Sequence, residues 1–223
     1  MLRRLYASWY REIRQWLRPG LTVEVGGGTG NLKEFSPDVL CTDVVRMPWL
    51  DALADAQHLP FRNGSLSNIV LFDVLHHLEN VRYFFDEALR VLVPNGRVVI
   101  MDPYVSALSW PIYRFLHPEL MDFRRDPLAL VAPSAGRRPF DANQAVSRIV
   151  FERSYERFHQ LYPHFAKIAH ERLAFFAYPL SGGFDRPSLL PLWSMDALLR
   201  FERWCRRFGR LFAFRLLVVL EKT

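Results

Sequence analysis

Apolar positions along the chain change their period several times, and each change marks an element. Over residues 2–17, Leu2, Leu5, Tyr6, Trp9, Ile13, Trp16 and Leu17 recur at helical spacing, with Arg3, Arg4, Arg11 and Arg14 between them. This predicts an amphipathic helix, ended by Pro19-Gly20. Its apolar face suits either the surface of a sheet or the surface of a membrane, where tryptophan and arginine are at home together. Short apolar runs follow at residues 21–25, 39–42, 51–54, 67–73 and 97–102, and they read as strands. Between them lie a short helix at 31–35, broken by Ser36-Pro37, a helix at 81–92, and a turn at Pro94-Asn95-Gly96. Beyond residue 103 the pattern is less regular. Residues 104–122 are apolar and aromatic, 124–139 basic and rich in proline, and 143–161 helical; 165–178 contain a sixth strand, with a loop at 181–184. A basic helix at 195–208 and a final apolar strand at 212–221 close the chain. No uninterrupted apolar run is long enough to span a bilayer.

The chemistry gathers where the first strand meets glycines, at Val23-Glu24-Val25-Gly26-Gly27-Gly28-Thr29-Gly30-Asn31. Glycine lets a ligand approach the backbone, and a helix start presents free N–H groups to the same place. Strand, turn and helix describe a nucleotide-type pocket. The dinucleotide fingerprint needs glycine at its first, third and sixth positions, but the sixth is Asn31 counted from Gly26 and Lys33 counted from Gly28. A P-loop needs Lys-Ser/Thr after its last glycine, and Gly30 is followed by Asn31. Asp43 closes the second strand about 20 residues beyond the first, where such folds bind ribose hydroxyls.

Four motifs then occur in order: Glu24 through Gly30 as acid-x-Gly-x-Gly-x-Gly; Asp43; Asp55-Ala56-Gln57-His58-Leu59-Pro60-Phe61; and Leu92-Val93-Pro94-Asn95-Gly96-Arg97 before an apolar strand. Together with Val74-Leu75-His76-His77-Leu78-Glu79-Asn80 they resemble the class I S-adenosylmethionine-dependent methyltransferases, in the broad small-molecule (type 11-like) group that includes quinone-biosynthesis C-methyltransferases. The resemblance covers residues 21–103. It implies an α/β, Rossmann-like, doubly wound, seven-stranded, mostly parallel sheet with an antiparallel last strand and an insert between strands 5 and 6. It implies one methyltransferase domain over 1–223, divided into an amino-terminal helix (1–19), a cofactor core (20–103), a substrate-binding insert (104–164) and a closing helix and hairpin (165–223). The cofactor positions it implies are Glu24, Gly26, Gly28, Gly30, Asp43, Asp55, Ala56 and Phe72, with S-adenosyl-L-methionine as cofactor. One departure is plain: residues 44–49 contain Pro48 and are too short for the helix that usually separates strands 2 and 3.

Methyl transfer from a sulfonium needs alignment and exclusion of water, and a base only when the acceptor must lose a proton. His76 and His77, just past the fourth strand, are the candidates for catalysis, with Tyr104 after the fifth. No metal site is expected, because neighbouring histidines on a helix start are expected to face apart and no third ligand has a recognisable spacing. The two cysteines, Cys41 and Cys205, match no metal spacing and suit a reduced, cytoplasmic compartment. The net charge of +6 is compatible with phosphate, nucleic acid, anionic lipid or an acidic substrate and selects none. Nucleic acid is not expected: Asp102-Pro103-Tyr104 is similar to the Asp/Asn-Pro-Pro-aromatic signature of nucleic-acid amino-methyltransferases, but that signature follows the fourth strand and has two prolines. The expected partner is a small-molecule acceptor, lipid-like or quinone-like, met at an anionic membrane surface (the inner face) if residues 2–17 and 195–208 form one patch. A non-catalytic cofactor-binding module or partner subunit is the alternative.

Overall fold

The computed structural model describes residues 2–28, 31–132, 134, 136–182 and 187–223. Its elements are α1 (Leu2–Arg14), β1 (Thr22–Val25), a 3-10 turn (Asn31–Glu34), β2 (Leu40–Asp43), β3 (Ala52–Leu53), β4 (Leu66–Phe72), a 3-10 turn (Leu75–His77), α2 (Val81–Val91) and β5 (Leu92–Pro103). There follow α3 (Ser109–Phe115), α4 (Val146–Arg148), a π-helical turn (Ile149–Arg153), α5 (Tyr155–Leu161), β6 (Phe165–Leu173), α6 (Ala177–Leu180), α7 (Met195–Cys205), α8 (Gly209–Phe212) and β7 (Arg215–Lys222). The seven strands lie in the order β3-β2-β1-β4-β5-β7-β6. β1 runs parallel to both β2 and β4, with Val23 opposite Leu40 and Ile69. β7 inserts antiparallel between β5 and β6. The expected α/β sheet, its antiparallel last strand and the insert between strands 5 and 6 are all present.

The central strands β1, β4, β5 and β7 are largely apolar because both faces are covered, and alternate residues serve opposite layers. Ile69, Leu71, Val98, Ile100, Leu216 and Val218 face one core, which α2 fills with Phe84, Phe85 and Ala88. Val70, Phe72, Val99, Met101, Leu217 and Val219 face the other, which α1 covers with Leu5, Trp9, Tyr10 and Ile13. Of the two packings open to α1, the sheet takes its apolar face.

Three local departures have physical reasons. Residues 44–49 form no helix; instead the Trp49 indole donates to the Gly28 carbonyl at 2.8 Å, so the short connection folds back onto the glycine turn. The turn expected at 94–96 lies inside β5, where Asn95 takes a positive φ of 60°. The helix expected over 143–161 is interrupted by the π-helical turn, marked by the Ser154 N–H bonding the Ile149 carbonyl at 2.8 Å.

Two buried charges fix the site's foundations. Arg215, at the start of β7, is 5% exposed and makes a two-pronged ion pair with Asp73, its Nη2 lying 2.8 Å from Oδ2. Asp73 follows β4 directly, with φ of 57°. The guanidinium lies 4.2 Å from the Trp9 ring centroid, 4.9 Å from Phe72 and 5.6 Å from Tyr178. Glu24 is buried at 1% exposure beneath the glycine turn, where the Cys41 thiol faces its Oε2 at 3.6 Å. Burial pushes the Glu24 carboxyl up to about 7; the Cys41 hydrogen bond opposes this and the nearby Asp43 charge adds to it.

Arg215→Met is expected to lower the unfolding free energy by about 2–4 kcal/mol in urea melts, because it strands a carboxylate and empties the aromatic cage. The value sits below the fully buried case because the Asp73 side chain is 30% exposed. Adding Asp73→Asn recovers part of the loss if the stranded charge is its cause; no recovery contradicts that cause. For Glu24, the folded chain holds the proton more tightly than the unfolded chain does. Stability therefore falls as pH rises from the ordinary value of 4.5 through about 7. In Glu24→Gln the decline between pH 5 and pH 8 should shrink by about 3 kcal/mol, read as melts at both pH values; an unchanged decline contradicts the assignment.

Candidate active site

A cavity of about 590 Å³ opens at the carboxyl ends of β1, β2 and β4. This is where ligands sit in open α/β sheets. Its floor is the glycine turn. Gly26 has φ of 72°, and a Cβ there would overlap the Val74 methyl. A Cβ on Gly28 would come within 3.1 Å of Asp43 Oδ2. Both glycines thus keep backbone and carboxylate open to a ligand. The Gly27 N–H donates to the Thr42 carbonyl at 2.9 Å, tying the turn to β2. Asp43 Oδ1 accepts from the Val45 N–H at 2.8 Å, which fixes the carboxylate. Asp55 Oδ1 accepts from the Gln57 N–H at 2.8 Å in the same way, and Ala56 lies beside it. The Phe72 ring stacks on Tyr10 at 4.9 Å and forms part of the wall.

Gly26, Gly28, Asp43, Asp55, Ala56, Phe72 and His77 all border the cavity. Glu24 does not: it lies under the turn, where a Cβ on Gly27 would come within 2.8 Å of its Oε2. Gly30 lies outside the described residues. The arrangement fits an adenosyl cofactor. Two fixed carboxylates border a glycine turn where a Cβ on Gly26 would clash and one on Gly28 would crowd Asp43.

His76 is behind the wall rather than on it, at 3% exposure. Its Nδ1 lies 2.8 Å from Asp102 Oδ1, and Asp102 Oδ2 accepts from the Ser147 hydroxyl at 2.5 Å. Its Nε2 faces Glu119 Oε2 at 3.4 Å. Burial alone would lower the His76 pKa, but the Asp102 and Glu119 carboxylates outweigh it and raise it. His77 is lowered, first by burial and then by the neighbouring His76. The two rings do not face apart, as expected for a helix start. They lie with centroids 4.1 Å apart on a tight 3-10 turn, and Glu119 from the insert joins them. Tyr104 is also placed differently from expectation. It is buried away from the cavity, donates to Glu152 Oε2 at 3.0 Å and accepts from Arg172 Nε at 3.0 Å.

Sequence reasoning missed several wall residues. Tyr6 and Tyr10 come from α1, whose aromatic stripe signalled burial but not which cavity it would meet. Asp73 follows β4, and Arg137, Arg138 and Phe140 come from the insert. The pair Arg137-Arg138 was visible as a basic run, with nothing in its spacing to place it. Arg137 Nη2 donates to the His77 carbonyl at 2.7 Å, and among the described residues no carboxylate lies in ion-pair reach of Arg137.

Residues 23–100 match the family model of a methyltransferase domain. No curated protein matches the chain. Among solved structures, the chain resembles a SAM-dependent methyltransferase from Archaeoglobus fulgidus at a TM-score of 0.57 and 12% identity, covering 99% of this chain and 94% of that one. It resembles a possible histamine N-methyltransferase from Thermotoga maritima at 0.57 and 13%, covering 98% and 89%. It also resembles geranyl diphosphate C-methyltransferase from Streptomyces coelicolor, solved with Mg2+, geranyl diphosphate and S-adenosyl-L-homocysteine, at 0.55 and 13%, covering 99% and 81%. These distant likenesses carry the fold, and their substrates differ. The cofactor of such a domain is S-adenosylmethionine. Residues 23–100, from β1 to β5, thus match a methyltransferase domain, and the sheet around them has the fold of S-adenosylmethionine-dependent methyltransferases.

Proposed function

We propose that the chain methylates a small, largely apolar acceptor that bears an acidic group, such as a quinone-like or lipid-like acid. The observation that carries this reading is the wall of the cavity beyond the cofactor positions. It combines Tyr6, Tyr10, Leu78 and Phe140 with Arg137 and Arg138. An apolar body with one anionic group fits that lining. S-adenosylmethionine supplies an already activated methyl group when bound. Gly26 and Gly28 would leave room for it, Asp43 would accept from its ribose hydroxyls, and Asp55 and Ala56 would meet its adenine. The aromatic wall excludes water from the line of transfer. His77 borders the cavity, and burial with the neighbouring His76 lowers its pKa, so its ring meets the acceptor side uncharged. His76 stays behind the wall, its ring lying against that of His77 with centroids 4.1 Å apart.

A second, smaller reading concerns where the acceptor is met. Phe201 and Trp204 on α7, with Trp193 before it, are 49%, 56% and 83% exposed. They are interleaved with Arg200, Arg203 and Arg207, and the Arg207 guanidinium lies 4.3 Å from the Trp204 ring centroid. Aromatic and cationic groups together suit an anionic bilayer surface. The apolar face of α1 is spent on the sheet, so this patch rests on α7 and its flanks alone. No helix among the described residues is long and apolar enough to cross a membrane.

Calorimetry with S-adenosylmethionine is expected to show binding that Asp43→Ala weakens at least tenfold; equal binding by the variant contradicts the cofactor placement. In a screen of acidic quinone-like and lipid-like acceptors beside their neutral counterparts, the acids should be methylated preferentially. Arg137→Ala should raise KM about tenfold with kcat little changed, the signature of a lost charge-assisted contact made in the ground state. Equal turnover of the neutral compounds contradicts the acidic acceptor, and no turnover of any by a chain that binds cofactor favours the non-catalytic module. Flotation with anionic vesicles at low salt should carry the protein and should fail for Trp193→Ala/Trp204→Ala; absence of binding by the wild type removes the membrane reading.

A further inference from the structure

We propose that His76, His77 and Glu119 bind one divalent transition-metal ion of the Zn2+ class at the wall of the acceptor cavity. One ring nitrogen of each histidine and one carboxylate oxygen of Glu119 lie within 4.8 Å of one another. His76 Nε2 and Glu119 Oε2 are 3.4 Å apart. That is long for a charge-assisted hydrogen bond, which runs at about 2.7–2.9 Å. It matches the separation of about 3.3 Å between two atoms bound at ~2.0–2.1 Å to one tetrahedral Zn2+. Two imidazoles and one carboxylate are a set that Zn2+ takes with a fourth position left open, and neighbouring borderline ions take it as well.

The surroundings orient these atoms as ligands. Asp102 sits behind His76, 2.8 Å from Nδ1, and is itself held by the Ser147 hydroxyl at 2.5 Å. A carboxylate in that place holds the proton on Nδ1 and turns the Nε2 lone pair forward. Gln144 Nε2 donates to Glu119 and steadies its carboxylate. His77 contributes a buried Nδ1 with no hydrogen-bond partner, a state that is costly unless the atom is used. Charge points the same way. Two carboxylates, Asp102 and Glu119, flank the two rings, and a divalent ion balances them with both imidazoles neutral.

Position gives the ion a purpose. The histidines follow β4 and Glu119 belongs to the insert, so one ion ties the insert to the sheet. His77 borders the cavity, so a fourth position turned to that side would hold and polarise an acceptor oxygen, with the ion as Lewis acid. That use rests on the acceptor reading above, whereas binding of the ion does not.

The test is equilibrium dialysis of the full chain against Zn2+ with metal analysis, and titration with Co2+ followed by visible absorption. Wild type should bind one equivalent. Glu119→Gln and His77→Ala should bind at least about 100-fold more weakly, with folding checked by circular dichroism. Asp102→Asn should keep the stoichiometry and lose about 10–100-fold in affinity. His58→Ala, at a histidine whose side chain is 78% exposed, should bind as wild type does. Wild type without stoichiometric metal, or Glu119→Gln and His77→Ala binding as wild type, overturns the inference. Calorimetry with S-adenosylmethionine on the same samples keeps the two claims apart: cofactor binding by a wild type that binds no metal overturns the metal site and leaves the methyltransferase reading standing.

Discussion

The buried ion pair between Arg215 and Asp73 is the constraint on which the rest of the structure depends. A guanidinium at 5% exposure is stable only where its charge is matched and its faces are covered. Asp73 supplies the match from the end of β4. Trp9 from α1, Phe72 from β4 and Tyr178 from α6 cover the faces. One side chain on the last strand therefore fixes the central strand, the amino-terminal helix and a late helix at a single point, and that point is the edge of the cavity. Asp73 adopts its left-handed backbone there, which starts the turn carrying His76 and His77.

From this anchor the site divides into two halves with different physics. The cofactor half is built on backbone: a glycine turn in which Gly26 must lack a Cβ, and two carboxylates held by their own tight turns. The acceptor half is built on side chains from elements remote in sequence. Tyr6 and Tyr10 reach it from α1 and Arg137 from the insert, while Glu119 meets the histidines from behind. Two acids near these halves, Glu24 buried and Glu119 half-buried, behave differently. Glu24 has a thiol rather than a cation for company, and burial raises its carboxyl. Glu119 has the raised His76 beside it and is held well below the ordinary range despite its partial burial.

What was legible in the sequence follows that division. Gly26, Gly28, Asp43 and Asp55 were readable because each ends or follows a short apolar run, and strand ends are where polarity must change. The sheet order came with the resemblance those residues carry. Glu24 was readable as part of the motif, but its place under the turn was not, since a single acid in a strand does not reveal which face it takes. The His76–Glu119 contact spans more than forty residues that include α2, β5 and α3, and Glu119 itself lies in irregular chain beyond α3 with no period to register it. The rule that adjacent histidines diverge failed because it assumes α-helical geometry, and the chain turns more tightly there. Arg215 was the one overlooked signal in plain view: a lone charge inside the apolar run Phe214 to Leu220 demands a buried partner.

The central claim is that the glycine cradle and the two fixed carboxylates hold the adenosyl group, with the aromatic and basic wall left for an acceptor. A crystal structure of the chain with S-adenosylhomocysteine tests it most directly. The account predicts the ribose hydroxyls on Asp43, the adenine beside Asp55 and Ala56, and the sulfur directed toward Phe72 and His77. Ligand bound elsewhere, or bound in this cavity with the ribose away from Asp43, would contradict it.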